Sequence, residues 1–196
     1  MKKKKTDFEA KFWSGTRKHT AISLLETFFQ FNDLAATKET LNEMVQSSVQ
    51  KNTRIAKEPA EIFHLYQALR SFILAAHHIA KKAKKGKFKI STEVSFPKTA
   101  ISLSEKEQRN PLRVFQNAFK VCTLQDFNDF LSATAYFSLG NFSCDTEKKI
   151  IIPYFQLIKL LEAAPLIVEN CYKKMKGKGW LSGVGWLSAA EANRKM

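Results

Sequence analysis

The chain has 196 residues, a length suited to one domain, and 44% of them are hydrophobic, including 16 Phe, which excludes wholesale disorder. Its 32 Lys and Arg against 18 Asp and Glu leave a net charge of +14. That imbalance favours polyanionic partners, meaning nucleic acid, acidic proteins or anionic membrane surfaces.

The opening "MKKKKTDFEAKFW" has the charge of a signal peptide's first region without the apolar stretch behind it. No window holds the ~18 consecutive apolar residues of a membrane span, so the expectation is a cytoplasmic protein. From Thr20, "TAISLLETFFQF" sets Ile22, Leu25, Phe28 and Phe29 at helical steps. Asn32 and Asp33 then predict a break and a fresh N-cap before a weaker stripe of Leu34, Thr37, Leu41, Met44, Val45 and Val49. A long helix follows from Glu58 and Pro59, the proline suiting a first turn, and runs until Gly86 stops it.

Residues 87–103 interleave Phe88, Ile90, Val94, Phe96 and Ile101 with polar residues and Pro97, which predicts a short hairpin or extended arm. Ser104 with Glu107 three residues on forms a capping box, and Pro111 divides the helical run that follows. Thr123 and Asp126 cap the next helix, which Gly140 ends. The last helix, from Asp145 or Thr146 to about Lys176, is apolar nearly all round between Ile150 and Leu161, as befits a central helix. Pro153 suits its first turn, and Pro165 is expected to kink or split it. The fold class is therefore all-α: an irregular bundle of five to seven helices with a short extended or hairpin excursion near 87–103. Residues 1–176 form one helical domain, and 177–196 form a Gly/Trp tail in which "GWLS" occurs twice, at Trp180 and Trp186.

Chemistry-bearing patterns are few. The three cysteines, Cys122, Cys144 and Cys171, are widely spaced and include no CxxC pair, so they read as small buried hydrophobes. Adjacent His77 and His78 point about 100° apart on a helix and cannot share a metal, and no metal or cofactor is expected. Arg70 and His77 share nearly one azimuth at the edge of the apolar face, where a guanidinium and an imidazole suit phosphodiester chemistry. The stretch Arg70-SFILAA-His77 resembles the HEPN superfamily of helical-bundle ribonucleases and toxins, whose motif is an Arg, about four to six intervening residues and then a His, and it fits the longest of those spacings. The resemblance covers eight residues, and Ser71 is only a weak match to the polar residue that commonly follows the family's arginine. It implies a metal-independent ribonuclease using Arg70 and His77.

The lysines are the better functional candidates. Lys81, Lys82, Lys84, Lys85, Lys87 and Lys89 crowd into nine residues at a helix end, more than the helix dipole alone requires. Lys173, Lys174, Lys176 and Lys178 close the last helix, and Lys2 to Lys5 open the chain. Such clusters neutralise phosphates without reading bases. The leading expectation is non-catalytic, largely sequence-independent binding of nucleic acid or another polyanion. One alternative is the ribonuclease; the other is a protein-interaction module whose partner is held by Trp180 and Trp186.

Overall fold

A computed structural model describes residues 5–50, 53–86, 88, 102–140 and 147–176, and in the last helix the side chains of 149–171. Ten elements follow one another: β1 (Thr6–Asp7), α1 (Lys11–Ser14), β2 (Lys18–His19), α2 (Ala21–Phe31), α3 (Leu34–Val49), α4 (Pro59–Lys84), α5 (Glu105–Arg109), α6 (Pro111–Val121), α7 (Leu124–Leu139) and α8 (Glu147–Lys176). The protein is an all-α irregular bundle. Six of the eight helices among the described residues exceed ten residues, and α1 and α5 add single turns.

Local chemistry sets the helix starts. Thr20, Ser104 and Thr123 each close a capping box with the residue three positions on, Ser23, Glu107 and Asp126 respectively. The Asp33 carboxylate accepts the Ala36 N–H at 2.9 Å, and Pro59 opens α4. At the far end of α4, Gly86 adopts φ 66°, a left-handed conformation that only glycine takes without strain.

The excursion expected near 87–103 falls almost wholly on residues outside the described part. Among the described residues, β1 and β2 pair antiparallel at Thr6↔His19 and Asp7↔Lys18 near the N-terminus. Long-range contacts hold this hairpin to α4. The Trp13 indole donates to the Ser71 hydroxyl at 3.0 Å and Phe8 meets His78 edge-on at 5.8 Å, while Arg17 pairs with Asp7 at 2.7 Å within the hairpin. Nor does Pro165 divide the last helix, since α8 runs unbroken from Glu147 to Lys176, and Pro153 sits beyond its first turn. Packing on several sides replaces the backbone bonds that a proline forfeits. Leu157, Leu160, Leu161, Ala163, Ala164 and Ile167 are all fully buried there.

Chain direction follows from a few contacts. Tyr66 meets Ser132 across α4 and α7, and the Ile55 N–H before α4 reaches the Ser138 carbonyl at the end of α7. These two helices are therefore antiparallel. Helix α6 lies along α4 with its last turn at His77, which packs on Phe119 at 5.0 Å; because α4 ends soon after His77, the rest of α6 lies beside its earlier turns and the two run the same way. Tyr154 meets Asn42 while Glu162 meets Lys38, making α8 antiparallel to α3. Because α3 leads into Ile55 beside the end of α7, α3 descends with α7 and α8 ascends with α4 and α6. The C-terminal ends of α4, α6 and α8 therefore lie at one end of the bundle. Phe28, Phe72, Phe115, Phe127 and Phe130 fill the core between them.

Segment Lys149–Cys171 has the length and mean hydropathy, 1.6, of a membrane-crossing helix, but 61% of that window is buried inside the bundle. Its apolar character goes into the core.

Candidate nucleic-acid interface

The turn of α4 that ends at Lys84 carries Lys81 and Lys82 on successive faces, and the chain then passes Lys85 into the left-handed turn at Gly86. Lys81, Lys82, Lys84 and Lys85 are all exposed, and none forms an ion pair among the described residues. The last turns of α8 bring the backbone of Lys173, Lys174 and Lys176 to the same end of the bundle. Lys87, Lys89 and Lys178, like Trp180 and Trp186, lie outside the described residues.

Arg70 and His77 have separate partners. The Arg70 guanidinium pairs with Glu9 at 3.0 Å and lies 5.7 Å from the centre of the Tyr66 ring. Glu9 reaches it from a backbone at φ 60° beside the N-terminal hairpin. His77 rests its ring on Phe119 instead. Burial, and then the charge of Lys81 one turn on, push the His77 pKa down. His78 is lowered in the same way, first by burial and then by Lys82, His77 and Lys81. Both rings are therefore neutral near pH 7. No hydrogen bond links Arg70 to His77 among the described residues, and each side chain has a packing role.

A second feature was not legible in the sequence. A cleft of about 630 Å³ is lined by Ser104, Lys106, Glu107, Arg113, Asn117 and Lys159, drawn from α5, α6, α8 and the residue before α5. Glu107 is the one acid there. Burial alone would raise its pKa, but hydrogen bonds from Lys159 at 2.8 Å and from Ser104 outweigh burial and hold it below the usual carboxylate range. It is thus ionised and already engaged, and Lys106 and Arg113 at the rim have no ion-pair partner among the described residues. The signal in the sequence was faint. Lys159 interrupts an apolar run, and Arg113, Asn117 and Lys120 recur at helical spacing on the exposed side of α6.

Comparison with family models, curated proteins and solved structures finds no match. Function must be argued from these residues alone. Among the described residues no cluster of His, Cys, Asp and Glu has the makings of a metal site. Cys122 is buried, and burial raises its thiol pKa. Cys171 is half-buried, and Cys144 lies outside the described part.

Proposed function

We infer that the lysine-bearing end of the bundle binds nucleic acid through its phosphates, without catalysis and with little base readout. One observation carries the reading: α4 and α8 ascend together, so two lysine runs far apart in sequence finish at one end of the molecule. Separate clusters on opposite ends would each make a weak point contact. Clusters on one end sum their fields and release counterions together. The exposed, ion-pair-free state of Lys81, Lys82, Lys84 and Lys85 adds support, because no internal bond must break for them to meet phosphates.

The test is a salt-titrated binding assay on a duplex of about 20 base pairs, with Lys81, Lys82, Lys84 and Lys85 reversed to Glu. Each phosphate contact contributes a slope of about −0.9 in log affinity against log salt. The variant should therefore bind more weakly on any sequence and show a slope shallower by about three to four. Acids at this helix end oppose the dipole by some tenths of a kcal/mol each, so melting is followed in parallel. A folded variant that binds like the parent would refute the reading.

A further inference from the structure

The cleft and the lysine end are joined by α6. On that helix Pro111, Leu112, Val114, Phe115 and Ala118 are buried, while Arg113, Asn117 and Lys120 are exposed. Residues four and seven positions after Arg113 return to nearly its azimuth, so these three make one outward line. Its lower end is the cleft, where Lys106 and Lys159 flank Arg113. Its upper end adjoins α4, because Phe119 is level with His77 and Lys120 follows at once. From Arg113 up to Phe119 and on from His77 to Lys85 is roughly 20 Å at 1.5 Å per residue.

The acids nearby are occupied. Glu107 serves Lys159 and the Ser104 cap, Glu105 pairs with Arg109 at 3.8 Å, and Asp126 caps Thr123. Lys106, Arg113 and Lys120 form no ion pair among the described residues. The exposed large aromatic side chains of the described residues, Phe12, Phe31, Phe63, Tyr136 and Phe155, belong to other helices and are absent from this line.

We propose that the outer face of α6 is a phosphate track that seats one backbone of a nucleic-acid duplex, running from the Lys106–Arg113–Lys159 cleft to Lys81–Lys85. This rests on the nucleic-acid reading above and assigns it a ligand form and further residues. Roughly 20 Å of track is long enough to meet several successive phosphates of one duplex strand. Single strands are held by stacking bases on exposed aromatic rings. The track offers cations and one amide, and a duplex backbone asks for no more.

The test compares the full-length parent, R113E/K120E, and the neutral R113Q/K120Q on a 20-base-pair duplex and on one of its separated strands. Both substituted residues are exposed, and melting curves check the fold. The duplex should bind the parent more tightly than the strand. R113E/K120E should weaken duplex binding and make its salt slope shallower by about two, and R113Q/K120Q should do the same with a smaller loss of affinity. If both α6 variants match the parent while reversal of Lys81–Lys85 still weakens binding, the track is refuted and the nucleic-acid reading stands. Equal affinity for strand and duplex refutes the duplex assignment. A parent that binds neither at low salt overturns both readings.

Discussion

Replacing Lys38 by Met should destabilise the bundle far more than an ordinary surface substitution. The Glu162 side chain is 0% exposed, and its carboxylate meets Lys38, 25% exposed, from α3. It also accepts the Ser102 N–H at 2.8 Å and the Ser102 hydroxyl at 3.3 Å. One buried carboxylate thus ties α8 to α3 and to the segment that enters α5. Lys38→Met leaves that charge inside with only Ser102 to solvate it. Breaking such a pair from one side costs about 3–5 kcal/mol, and the partial exposure of Lys38 puts the expected cost near the lower bound, about 3 kcal/mol. For a chain of this length that lowers the melting temperature by about 6–12 °C. Glu162→Met should cost less, about 2 kcal/mol, because Lys38 can turn its ammonium to water. The double variant should cost only about 1–2 kcal/mol, mostly for the orphaned Ser102 N–H, since an apolar pair replaces the ionic one. Urea unfolding of all four proteins gives the coupling energy directly. Single and double losses that simply add, or a Lys38→Met protein within 0.5 kcal/mol of the parent, would refute the argument.

Two further outcomes follow from the α4 histidines. In the folded protein His77 and His78 bind protons less readily than the ordinary imidazole near 6.5. Their contribution to stability should be complete above about pH 6.5 and drain away as pH falls through the window beneath it. Denaturation midpoints from pH 7.5 to 5 should show the loss, and a His77→Gln/His78→Gln variant should flatten it; an unchanged slope would refute it. His77→Ala should remove packing against Phe119 and lower stability by about 1–2 kcal/mol, while leaving nucleic acid uncut as in the parent. If the parent degrades RNA and the His77→Ala protein does not, the ribonuclease alternative replaces the binding one.

Features set by neighbouring residues were readable from the chain. The caps at Asp33, Ser104 and Thr123, the opening at Pro59 and the stops at Gly86 and Gly140 depend on contacts within about four positions, and each stands where the pattern puts it. The N-terminal hairpin was not readable. Two-residue strands have no periodicity, and their pairing joins Thr6 to His19 across a turn of helix. Pro165 does not split α8, because its local penalty is fixed while its compensation comes from packing by other helices. The lysine cluster on α4 was visible as a run, but its alignment with α8 depends on helix direction. The cleft stayed hidden for a similar reason. Lys159 stands more than 40 residues from Arg113, and only the fold makes them neighbours.

The order of burial has a consequence for synthesis. The helix that completes the core, α8, is the last of the eight helices among the described residues to leave the ribosome. Until it does, α2, α6 and α7 hold apolar faces whose shared partner does not yet exist. A nascent chain that ends before Ile150 lacks Leu157, Leu160, Leu161 and Ile167, and so presents those faces to water. Such intermediates aggregate in proportion to their lifetime and concentration. Slow translation through the α7–α8 junction should therefore favour chaperone capture and precipitation, and chains released before α8 is made should accumulate in the insoluble fraction.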